Sequence, residues 1–93
     1  MELRIAEPAK EYILGQAQDA QEEILKALEL IAERPVAGIY LPFPWSQGIL
    51  GYTTPHYFIT YREREGVIEV EGVTKTPTLE DVQRAMLRRF GLQ

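Results

Sequence analysis

HYFITYREREGVIEVEGVTK, residues 56–75, decides the fold. Successive side chains of a strand point to opposite sides, so His56, Phe58, Thr60 and Arg62 share one face, and Tyr57, Ile59 and Tyr61 the other. Past Arg64, Glu65 and Gly66 the pattern returns, with Ile68 and Val70 apolar and Glu69 and Glu71 charged. A loop of two or four residues folds these two runs into a hairpin, with Gly66 supplying any positive φ. Either length gathers Tyr57, Ile59, Tyr61, Ile68 and Val70 on one face. That face needs a cover, and the other is left with His56, Phe58, Thr60, Arg62, Glu69 and Glu71.

The cover lies upstream. Ala20, Ile24, Ala27, Leu28 and Ile31 recur at spacings of three and four, which predicts an amphipathic helix. Asp19 and Glu22 have the spacing of a capping box at its start, and Pro35 ends it at Arg34 by disfavouring the helical conformation of its predecessor. Before it, Pro8 suits a first helical position and Ala9, Tyr12, Ile13, Gln16 and Ala17 form a second stripe, weakened by Gly15. The two helices read as an antiparallel hairpin turning around Gln18. Residues 2–6 alternate apolar with polar, as a short first strand does.

Between the helices and the hairpin stands LPFPWSQG, residues 41–48. Pro42 and Pro44 lack the donors that a central strand needs, so this is a loop over one end of the sheet, with a strand at residues 49–52 behind it. Trp45 reads either as a lid on the core or as an anchor for a partner. After the hairpin, Thr78 and Asp81 again have capping-box spacing, and Leu79, Val82, Met86 and Phe90 mark a last helix ending near Gly91. Arg84, Arg88 and Arg89 lie off that stripe as the one dense basic patch. They serve either the helix dipole or a partner.

The chain of 93 residues and 10.7 kDa holds one domain, 1–93, with a globular balance of 45% hydrophobic and 26% charged residues. It has no cysteine, so disulfides and thiol chemistry are excluded. The net charge of −4 argues against bulk nucleic-acid binding, which needs clustered Lys and Arg. No glycine-rich phosphate loop, HExxH or metal-ligand cluster is present, so no cofactor and no metal are expected. The first residues do not form a signal peptide and no apolar run approaches about 18 residues, so no membrane is expected and the cytoplasm is the expected location.

Strand, two helices, antiparallel meander and short C-terminal helix make an α+β arrangement: a helical hairpin packed on a small antiparallel β-sheet. In that order of elements the chain resembles the RelE/ParE superfamily of small bacterial toxins. The resemblance rests on QEEILKALELIAERP, residues 21–35, and on HYFITYRE, residues 56–63, where the family shows a segment like YRIVYR; residues 72–82, GVTKTPTLEDV, stand where ParE-like members often read like VLHGARDLEAL. It implies the toxin component of a type II toxin–antitoxin system, held by a cognate antitoxin. A ParE-like toxin binds a protein such as a DNA topoisomerase; a RelE-like one cleaves mRNA on the ribosome. A diverged scaffold without toxicity is a third reading.

Family nucleases place basic side chains on the open sheet face to move protons and to stabilise a phosphate's charge. Here Phe58 takes the position of the strand arginine, Thr74 and Pro77 stand where His and Arg are frequent, and Glu69 and Glu71 repel phosphate. The remaining acid–base candidates are His56, Arg62 and Lys75, with Tyr61 only in another register. His56 is the one histidine and has no sequence neighbour to orient it, so it is expected to be dispensable. These features favour protein binding, through Phe43, Trp45 and Phe58 and the arginines 84, 88 and 89, by an antitoxin or a second copy of the chain.

Overall fold

The computed structural model describes residues 1–40, 48–76 and 79–91. The elements in chain order are β1 (Glu2–Ile5), α1 (Glu7–Leu14), α2 (Gln18–Glu33), a short 3₁₀ turn (Pro35–Ala37), β2 (Ile39–Tyr40), β3 (Leu50–Thr53), β4 (Tyr57–Arg64), β5 (Val67–Lys75) and α3 (Leu79–Arg89). They form the expected α+β arrangement, with five strands in the order β1-β5-β4-β3-β2. Strands β2 to β5 are an antiparallel meander, and β1 adds to its edge parallel to β5, from Glu2 opposite Val67 to Ile5 opposite Val70. The sheet is therefore mixed where an antiparallel one was expected. Alternation identifies a strand but carries no information about which distant neighbour it joins or in which direction.

The hairpin closes with the shorter of the two loops. Arg64 pairs with Val67, leaving Glu65 (φ 53°) and Gly66 (φ 79°) as the turn. Two consecutive positive φ values make the twist of such a turn match that of the strands. Tyr57, Ile59, Tyr61, Ile68 and Val70 are all buried, as their parity requires. Against them α1 lays Ala9 and Ile13, and α2 lays Ile24, Ala27, Leu28 and Ile31, so the core is a single layer between the helix pair and one sheet face.

The alternation fails at one place. Thr60 pairs with Gly72 but Tyr61 pairs with Val70, so Glu71 is an extra residue in β5, a β-bulge. Beyond it the parity of β5 reverses. Val73 joins the core opposite Ile59, and Lys75 falls opposite Tyr57, on the helix side.

The first capping box does not form. Ala17 is the N-cap of α2, in extended conformation and without a side-chain cap, and Asp19 Oδ1 accepts from the N–H of Ala20 at 2.9 Å. The joint between α1 and α2 is held instead by Gln21, whose Nε2 donates to the carbonyls of Gln16 (3.0 Å) and Leu14 (3.4 Å). Those carbonyls have no helical partner of their own, so a long amide side chain on the next turn satisfies them. The LPFPWSQG loop, with Phe43 and Trp45, and the Thr78 cap of α3 lie outside the described residues, apart from Gly48.

Candidate functional site

The candidate residues fall on both sides of the sheet. On the face away from α1 and α2, β4 presents Phe58, Thr60, Arg62 and Arg64, and β5 presents Thr74, Gly72 and Glu69, with the bulged Glu71 beside them. Arg62 is held by Glu71: Nε stands 2.6 Å from Oε1, and Nη2 donates to Oε2 at 3.4 Å. The Nε contact is short but not aligned for a hydrogen bond, so its attraction is chiefly ionic. Arg64 lies 3.6 Å from Glu69. Both β4 arginines thus spend their charge on carboxylates of the neighbouring strand, Arg4 of β1 stands opposite Glu69 on the same face and 3.9 Å from Glu2, and Phe58 nearer the start of β4 is half-buried.

His56 and Lys75 are not on that face. His56 precedes β4 in the tight turn from β3, where the N–H of Thr54 donates to the Tyr57 carbonyl (2.8 Å) and the N–H of Tyr57 donates to Thr54 Oγ1 (2.9 Å). The turn leans on α2 through one side chain, Glu23. Its Oε2 accepts from the Thr54 hydroxyl (2.5 Å) and from the backbone N–H of His56 (2.9 Å). Its Oε1 lies 2.8 Å from His56 Nδ1. A carboxylate only accepts, so Nδ1 carries the proton and Nε2 faces outward. The Thr54 hydrogen bond, then the His56 ring, hold the Glu23 carboxyl below the usual carboxylate range, against the opposing effect of burial.

The expected trio of His56, Arg62 and Lys75 is therefore divided. The bulge carries Lys75 to the helix side, where it lines an open concavity of about 680 Å³ together with His56, Glu23, Tyr57, Gln16 and Asp19. Arg62 stays on the far face. Tyr57 forms part of the floor: its ring meets Tyr12 edge-on at 6.4 Å, its hydroxyl donates to Gln16 Oε1 at 3.4 Å, and burial raises its phenol above the ordinary value. Tyr61 keeps the predicted register and is fully buried, with its hydroxyl on backbone groups of residues 35 and 38.

Glu23 and Thr54 were not legible as partners of His56. They stand on separate elements, and no local spacing links them; the one available signal is that Glu23 adjoins the buried stripe at Ile24, so it must point near the sheet. Arg84 is paired along its own helix with Glu80 at 3.1 Å, and Arg88 and Arg89 are exposed. Phe90, assigned to the apolar stripe, is 66% exposed, and the side chains of its companions Leu79, Val82 and Met86 lie outside the described residues. Among the described residues no three His, Asp or Glu side chains converge as metal ligands, and no helix is long and apolar enough to cross a membrane.

No family model and no curated protein matches the chain. Solved structures do, two of them from toxin–antitoxin systems. The isolated E. coli RelE toxin is similar with a TM-score of 0.70 at 20% sequence identity, over 94% of this chain and 96% of that one. A chain of the intact E. coli RelBE toxin–antitoxin complex is similar with a TM-score of 0.67 at 18% identity, over 83% of this chain and 98% of that one. At that identity the likeness is one of fold, and the chain has a RelE-like fold.

Proposed function

We propose that the protein is the toxin component of a type II toxin–antitoxin pair, that it acts by binding a protein target of the topoisomerase kind, and that a cognate antitoxin neutralises it. The fold supports the first part, together with the similarity to a RelE toxin and to a chain of a toxin–antitoxin complex. The observation that carries the mode of action is the far sheet face. A nuclease needs cations there to meet a phosphate's developing charge, and Arg62 and Arg64 are committed to Glu71 and Glu69. A mixed surface of ion pairs around Phe58 suits a protein partner instead.

The expected outcome is growth arrest when the protein is induced in a bacterial host, relieved by co-expression of the open reading frame beside its own. Translation in vitro leaves mRNA uncut while DNA supercoiling by the topoisomerase stops. Cleavage of ribosome-bound mRNA by the purified protein refutes the protein-binding mode, and absence of any arrest refutes toxicity. The Glu23–His56 pair favours the nuclease as the second reading, because an imidazole oriented by a carboxylate is a competent proton acceptor. His56→Ala separates the two: arrest persists in the protein-binding mode and is lost in the other.

A further inference from the structure

The concavity between α2 and the β3–β4 turn lies on the opposite side of the sheet from the face on which the proposed function rests. Its chemistry is built from three elements. From α2, Glu23 takes up three donors on its two oxygens: the Thr54 hydroxyl, the His56 N–H and the His56 ring. Its negative charge is thereby spent on fixing the turn and the ring. From the turn, His56 offers Nε2, which has no partner among the described residues, on a side chain that is 75% exposed. From the end of β5, the bulge delivers Lys75, which has no ion-pair partner among the described residues. Asp19 also lines the concavity, and its Oδ1 is turned back to the N–H of Ala20 in its own helix.

We propose that this concavity binds a phosphate group, held between His56 Nε2 and Lys75 Nζ, with Glu23 as the positioning residue that aims the imidazole. The ring-to-carboxylate contact at 2.8 Å fixes the imidazole and leaves Nε2 as its unpartnered nitrogen on the rim of the concavity. Lys75 supplies the compact point charge typical of a lysine at phosphate. A phosphate has oxygens enough to meet the Lys75 ammonium and the His56 ring nitrogen together, whereas a small carboxylate is satisfied by the ammonium alone. A structural tie alone accounts for Glu23 with Thr54 and the His56 N–H, but it leaves the placement of Lys75 in the same concavity without a role.

The test is a nuclear magnetic resonance titration of the whole chain with inorganic phosphate at constant ionic strength, with adenosine 5′-monophosphate and acetate as parallel arms. Saturable shifts of the His56 ring protons and of the Lys75 and Thr76 amides are expected, half-complete at about 1–10 mM. Lys75→Met is expected to weaken them at least about tenfold, and Lys75→Arg to keep them. Lys75 is exposed at a strand end, so both variants leave the fold intact. Glu23→Gln is expected to move the free His56 ring signals and to weaken phosphate. Tighter binding of the nucleotide than of phosphate assigns the site to a nucleotide, and equal binding assigns it to free phosphate. Acetate acting as well as phosphate, an unchanged response in Lys75→Met, or no saturable shift overturns the proposal. Toxicity does not enter this test, so its failure leaves the proposed function standing.

Discussion

Tyr61 shows how one buried side chain ties the molecule together. Its hydroxyl donates to the Pro35 carbonyl at 2.6 Å and accepts from the N–H of Gly38 at 2.9 Å, so the phenol supplies both partners that the chain leaving α2 requires. Tyr61→Phe leaves those backbone groups unpaired and is expected to cost about 1–3 kcal/mol, read as a lower urea midpoint. Gly38 allows the approach: a Cβ there stands 2.9 Å from Tyr61 Cζ and closer still to the hydroxyl. Gly38→Ala is therefore expected to destabilise by about 1–3 kcal/mol, by overpacking. Glu23 gives the pH dependence. Its folded carboxyl is held below the ordinary range, so its contribution is present above the unfolded pKa of about 4.3 and lost as pH falls through the depressed folded value. Acid titration of Glu23→Gln should show a shallower loss of stability in that window than the parent; identical profiles would remove the tie between α2 and the turn.

The β4–β5 hairpin is the element on which the core is built. Ile59 is fully buried beneath α1 and α2, and Ile59→Ala is expected to cost about 2–5 kcal/mol, by transfer and cavity together. Its turn is not optimal. Glu65 holds φ at 53°, a conformation that asparagine adopts more readily, and Asn-Gly is the preferred pair for this turn. Glu65→Asn is expected to raise stability by up to about 1 kcal/mol, seen as a higher melting temperature with unchanged structure. The bulge at Glu71 is the element's other device. It seats Glu71 against Arg62 on the far face while turning Lys75 to the helix side, so one inserted residue divides the charges between two surfaces.

In the whole molecule, apolar surface remains after the core is filled. Val36 in the 3₁₀ turn and Ile39 in the edge strand β2 are 86% and 77% exposed, and Phe90 after the end of α3 is 66% exposed. If Phe90 serves a partner, Phe90→Ala should leave stability within about 0.5 kcal/mol and still weaken the complex with the product of the adjacent reading frame, measured by calorimetry. A large loss of stability in that variant would return Phe90 to the core. Sedimentation of the chain alone decides whether a second copy takes this surface first.

The sequence by itself determined the α+β class, the two helical stripes, the buried parity of residues 57–70 and the helix stop at Pro35, because each follows from the period of a single element and the backbone limits of proline and glycine. It also carried the resemblance in element order that the fold bears out. The tertiary structure alone decided the parallel seat of β1, the bulge at Glu71, and the meeting of Glu23 with His56. These are choices between partners far apart in the chain, whose hydrogen bonds compete on nearly equal terms until packing fixes the distances. His56 looked solitary in the sequence for that reason: the carboxylate that orients it is 33 residues away and is brought to 2.8 Å only when α2 lies down on the sheet.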